Sequence, residues 1–146
     1  MNEEPSPVEI LLAEDNPGDV RLTEKAFEQA SLGNNLYVVN DGVEAMQFLN
    51  SEPPFADTPQ PDIVLLDLNM PRKNGQDVLA EMKSNDDLNR IPVVVLTSSE
   101  SEEDVVKSYD LNANAYLTKP VDYDGFLDIV SSLENFWLQV VRLPPK

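Results

Sequence analysis

Five short apolar runs, each followed by a stretch of helical period or a helix start, leave this chain few ways to fold. The first is Val8-Glu9-Ile10-Leu11-Leu12-Ala13, and the others fall at residues 36–40, 62–67, 91–97 and 115–117. Runs this short and this apolar are the pattern of strands buried on both faces. Asn16-Pro17 sets a capping side chain before a proline at the first helical position, predicting a helix to about Ala30 with Val20, Ala26, Phe27 and Ala30 inward. Asp41 and Glu44 have capping-box spacing ahead of Ala45, Phe48 and Leu49, which predicts a second helix. Residues 51–61 hold four prolines and predict a loop. Residues 75–84, with Val78, Leu79 and Met82 inward, predict a third helix, and acid-rich residues 102–110 a fourth. From Asp122 a last helix carries Phe126, Ile129, Val130, Leu133, Phe136 and Trp137 as a stripe. Five strands alternating with five helices imply right-handed βαβ crossovers, hence an α/β fold with an open, doubly wound parallel sheet. Residues 8–138 form one domain in this reading, with 1–7 a frayed lead-in and 139–146 a tail.

Two zero counts remove whole classes of chemistry. Without Cys or His there is no thiolate site, no histidine metal site, no Ser/His/Asp triad and no phosphohistidine on this chain. Any reactive group is a carboxylate, hydroxyl or amine, and any metal must suit oxygen ligands. A net charge of −17 repels nucleic-acid backbones and anionic membranes, so neither is expected as a direct partner. It also suits a salt-rich cytoplasm, where self-repulsion is screened. No apolar run approaches the roughly 20 residues that span a bilayer, and the start lacks a secretory pattern. A cytoplasmic protein is expected.

Open α/β sheets bind ligands outside the carboxyl ends of their strands, where strand order reverses. Strand one ends in Glu14-Asp15, strand three in Asp67 and strand four in Thr97-Ser98, and the fifth runs through Thr118 into Lys119. Each residue alone has an ordinary reading: a strand-end Asp caps helices, Thr97 is a normal strand residue, and a single Lys is usually solvated. Their joint placement at one sheet edge is harder to assign to structure. Two like charges ~4 Å apart cost on the order of 4 kcal/mol at an effective dielectric of roughly 20, so three crowded carboxylates want a cation. With oxygen donors and a phosphate nearby, that cation is Mg2+.

These pieces resemble the response-regulator receiver family. The matching motifs are Glu14-Asp15, Val64-Leu65-Leu66-Asp67-Leu68-Asn69-Met70-Pro71 followed by Gly75, Val94-Val95-Leu96-Thr97, and Tyr116-Leu117-Thr118-Lys119-Pro120, over about residues 8–136. The resemblance implies a flavodoxin-like fold with strand order 2-1-3-4-5. It implies Asp67 as the acceptor of a phosphoryl group from a sensor histidine kinase. Glu14, Asp15, Asp67 and the Asn69 main-chain carbonyl would hold magnesium, while Lys119 offsets phosphoryl charge. Thr97 and Tyr116 would form the switch, and the Lys119–Pro120 bond would be cis. The long proline loop, residues 89–97 and the ending Phe136-Trp137-Leu138 look similar to regulators that serve phytochrome-type kinases. In that subfamily the last helix and tail join two copies, which makes Phe136, Trp137 and Leu138 an expected homodimer contact.

Three other readings compete. A haloacid-dehalogenase-type phosphatase also uses a strand-end Asp, magnesium, a Thr and a Lys, but resembles Asp-x-Asp at its nucleophile; here Asp67-Leu68-Asn69 offers an Asn that cannot transfer the proton. The five glycines form no dinucleotide or P-loop pattern. A pseudo-receiver, a plain interaction module, would have no use for the charged cluster. The expectation is therefore a phosphoacceptor rather than a classical enzyme. It would signal by a changed surface, act as a phosphate sink, or pass its phosphoryl group to a histidine phosphotransfer protein.

Overall fold

The computed structural model describes residues 7–29, 33–97 and 115–118, together with Asp124, Leu127, Asp128 and Ser131. Strands β1 (Val8–Ala13), β2 (Asn34–Val39), β3 (Ile63–Asp67), β4 (Val93–Thr97) and β5 (Ala115–Thr118) alternate with helices α1 (Pro17–Glu28), α2 (Gly42–Leu49) and α3 (Gly75–Lys83). All strand pairs are parallel: β1 lies between β2 and β3, β3 pairs next with β4, and the short β5 lies beside β4. The expected fourth helix lies outside the described residues, as do the Lys119–Pro120 bond and residues 136–138. Within the expected last helix, Asp124, Leu127, Asp128 and Ser131 are helical.

Every residue of β3 and β4 is buried, which is why their sequences are almost wholly apolar. Period-two alternation then sorts side chains between two cores. Leu11, Ala13, Val64, Leu66, Val93 and Val95 pack with α2 and α3 on one face. Ile10, Leu12, Ile63, Leu65, Val94 and Leu96 pack with Ala26 and Phe27 of α1 on the other, where half-buried Leu127 joins them.

The helices start where expected and stop a little early. Asn16 Oδ1 accepts from the Asp19 amide at 3.1 Å to cap α1, which ends at Glu28 rather than Ala30. Val20 is half-buried instead of buried, and Thr23 takes an interior place that a hydroxyl can occupy because Oγ1 donates to the Asp19 carbonyl at 2.7 Å. Asp41 Oδ1 accepts from the Glu44 amide at 2.8 Å, but Glu44 reaches back to the amide of Asn40 rather than of Asp41. Strand β2 starts two residues before the expected segment and excludes Asn40, while β4 starts at Val93 rather than Ile91.

At the amino ends of the strands, a polar cluster closes the α2 face. The Tyr37 hydroxyl donates to Glu9 Oε1 at 3.0 Å, and its ring meets Phe48, which in turn meets Phe55 of the proline loop. Burial raises the Tyr37 phenol above its ordinary value of 10.0, and the hydrogen bond and negative charge of Glu9 raise it further. A raised folded value means stability that is complete below the unfolded value and lost as pH climbs through the folded one. Tyr37→Phe is therefore expected to lower stability near neutrality by about 1 kcal/mol and to make the alkaline loss shallower. Chemical denaturation across pH checks this, and identical alkaline slopes in the two proteins would refute it.

Candidate phosphoacceptor and metal site

The sheet order puts the reversal point between β1 and β3, the strands that end in Glu14-Asp15 and in Asp67. Main-chain amides just beyond the strands fix the Glu14 and Asp67 side chains. The Glu14 amide donates to Val39 O at 3.0 Å, and the Asn16 amide donates to Glu14 Oε2 at 3.2 Å. The Leu68 amide donates to Leu96 O at 3.1 Å, so β3 remains tied to β4 one residue past Asp67. The Asn69 amide turns back to Asp67 Oδ1 at 3.0 Å.

One carboxylate oxygen each from Glu14, Asp15 and Asp67 lies within 4.8 Å of the others. Glu14 and Asp67 are 1% and 3% exposed, whereas Asp15 faces solvent. Two buried carboxylates beside a third are costly to hold together by themselves, and the donor set is all oxygen. Thr97, at the end of the neighbouring strand, is fully buried, and among the described residues its Oγ1 has no hydrogen-bond partner. A buried hydroxyl of this kind leaves hydrogen-bonding capacity for an incoming oxygen. The residues fit a divalent cation of magnesium or manganese type, beside a Thr97 hydroxyl that has hydrogen-bonding capacity to spare.

The loop that leaves Asp67 is shaped by alternation. Leu68 and Met70 are buried while Asn69 between them is exposed, so the segment is pinned on both sides of the position whose carbonyl is expected at the metal. Tyr116 of β5 is half-buried against the core on the α2 face. Lys119 lies outside the described residues. Sequence reasoning missed Asp41 and Arg72, which join this loop to α2: Arg72 Nε and Nη2 each lie 2.9 Å from Asp41 Oδ2. Asp41 was legible as a cap, but nothing local in the sequence announces its second partner.

The chain is similar to known proteins both in sequence and in fold. The response regulator receiver domain family matches residues 10–131. Response regulator Rcp1 from Synechocystis is 44% identical over 145 residues, covering 99% of each chain. The phosphorylated cyanobacterial phytochrome response regulator RcpA is similar in structure, with a TM-score of 0.84, 44% identity, and 96% of this chain and 100% of that chain covered. The Mn2+-bound form of Rcp1 has a TM-score of 0.82 at 45% identity, covering 95% of this chain and 100% of its own. Among the described residues, no helix is long and apolar enough to cross a membrane.

Proposed function

The chain belongs to the response regulator receiver family of two-component signalling, and from that membership we propose that Asp67 is its phosphoacceptor in a divalent-metal-dependent transfer. The observation that carries this reading is the meeting of Glu14, Asp15 and Asp67 at the sheet's reversal point, beside a buried Thr97 hydroxyl. An Asp67 carboxylate oxygen attacks the phosphorus of a phosphohistidine. The new O–P bond forms as the donor's N–P bond breaks, and the leaving imidazole takes up a proton. The product is an acyl phosphate on Asp67.

Glu14, Asp15, Asp67 and the Asn69 carbonyl would hold the cation. Bound there, Mg2+ or Mn2+ supplies positive charge against the phosphoryl oxygens. Lys119 adds a second cation from the end of β5, and Thr97 Oγ1 donates to a phosphoryl oxygen. Movement of Thr97 toward that oxygen frees space that Tyr116 fills, which changes the surface a partner reads. The resemblance of Rcp1 and RcpA supports a phytochrome-type histidine kinase as the donor. Phosphorylation by a small donor with and without magnesium, compared between the natural chain and Asp67→Asn, tests the core of this reading.

Association of two copies through Phe136, Trp137 and Leu138 rests on the apolar stripe continuing past what one helix face can bury. Dilution of the full chain is expected to dissociate a dimer with a change in Trp137 emission, and truncation after Asn135 should leave a phosphorylatable monomer. A monomer at all concentrations, phosphorylated or not, would end the dimer reading.

A further inference from the structure

Resting on the proposed metal-dependent acceptance at Asp67, we propose that Arg72 is a positioning residue for the metal site. It acts through Asp41 to hold the loop that carries Asn69. Arg72 has φ 66°, the left-handed region that a non-glycine residue enters only at a cost, and it sits at the tip of the β3–α3 loop. Something must hold it there. Its guanidinium binds Asp41 Oδ2 through both Nε and Nη2 at 2.9 Å, and the Asp41 side chain is only 11% exposed. Asp41 is itself fixed, because its other oxygen caps α2 through the Glu44 amide.

A second contact joins the same two segments. A Cβ placed on Gly42 would come within 2.6 Å of the Lys73 carbonyl carbon and 2.7 Å of the Lys73 Cβ, so loop and helix start meet backbone to backbone. The Lys73 side chain turns the other way and pairs with Glu81 of α3. The loop tip is thus stitched to α2 by Arg72 and to α3 by Lys73, while Leu68 and Met70 anchor its inner part. Asn69 lies between the two anchors, and the outer one, Met70, leads directly into the stitched tip. Its amide is set by Asp67 Oδ1, so its carbonyl direction depends on how the rest of the loop is held. An ordinary half-exposed ion pair contributes little to stability, and Arg72 is 57% exposed. Its consequence here is geometric: without the fork, the strained tip is free to relax and carry the Asn69 carbonyl off its line to the carboxylates.

Titration of the full chain with Mn2+, followed by calorimetry, tests this. Arg72→Ala is expected to weaken Mn2+ binding by about tenfold, at the low end of what outer partners of a metal site contribute. Arg72→Lys, which keeps charge without the fork, should recover part of the loss. Asp41→Asn keeps the cap but loses the pair's charge, so it should match Arg72→Ala, and the double variant should be no worse than either. Glu81→Gln, which loosens only the Lys73 stitch and leaves the Arg72 fork in place, should weaken Mn2+ binding less than Arg72→Ala does. Arg72→Gly relieves the left-handed strain and should melt no lower than the natural chain without metal, yet still lose affinity, which separates positioning from folding. Asn69 amide hydrogen exchange should quicken in Arg72→Ala. Mn2+ affinity in Arg72→Ala and Arg72→Gly within twofold of the natural chain would overturn the proposal while leaving the acceptor reading intact. Failure of the natural chain to bind Mn2+ would overturn both.

Discussion

Incubated with magnesium and acetyl phosphate, the full chain should gain one phosphoryl group by intact mass, and Asp67→Asn none. The expected effect is all or nothing because the substitution exchanges the attacking oxygen for an amide that is not nucleophilic under these conditions. It also removes one of the three carboxylates that meet within 4.8 Å, and with it part of the metal's binding charge. The two losses can be told apart. Asp15→Asn leaves the nucleophile but removes the exposed member of the cluster, so it should label slowly and recover as magnesium is raised, whereas Asp67→Asn should not recover at any concentration. The adduct should be cleaved by hydroxylamine, as an acyl phosphate is. Labelling that persists in Asp67→Asn, or that proceeds without a divalent cation, would show that the acceptor lies elsewhere.

Gly75→Ala is expected to be among the most destabilising single-methyl changes available in this protein. The added Cβ would lie 2.8 Å from Leu68 Cα and 3.0 Å from the Asp67 carbonyl carbon, and closer still to the Asp67 carbonyl oxygen. All three are main-chain atoms, and they cannot yield cheaply. The Gly75 amide donates to Leu68 O at 3.1 Å, and the Leu68 amide is tied to β4. Alanine gains about 1 kcal/mol over glycine in helix propensity, but overpacking against fixed backbone costs about 3 kcal/mol, so the steric effect wins. Because the displaced atoms belong to Asp67 and the residue after it, phosphoryl uptake should fall together with stability. Gly33→Ala, whose Cβ would meet among the described residues only Pro7 Cβ at 4.0 Å, serves as the comparison and should be nearly neutral. Denaturant unfolding measures both, and a Gly75→Ala protein within about 0.5 kcal/mol of the natural chain would contradict the close packing of α3 on the end of β3.

Strand positions, helix starts and the acidic edge could be read without coordinates because their causes are local. An apolar run such as Val93-Val94-Val95-Leu96 has nowhere to go but a two-sided interior, and both of its faces are buried. Asn16 and Asp41 cap the helix starts that follow them as expected, since a cap needs only the next three residues, and the structure adds Asn74 as the cap of α3. Glu14, Asp15 and Asp67 were recognisable together because strand ends in an open α/β sheet share one edge. Boundaries drifted by one or two residues where the ends depend on neighbours, as at Val93, whose start is set by pairing with Val64.

What remained hidden was contact between segments distant in the chain. Arg72 and Asp41 are 31 positions apart, and no period or motif links them. Glu9 and Tyr37 are 28 apart, and only the register of β1 against β2 brings the carboxylate under the phenol. Thr97 could be placed at the acidic edge from sequence, but its burial and its hydroxyl without a described partner become visible only once both faces of β4 are covered. The sequence by itself determined which residues must be inside and which carboxylates share an edge, because burial and strand-end placement follow from composition and period. Only the tertiary structure decided which side chain meets which, because distance in space between separate segments is set by packing that no local pattern encodes.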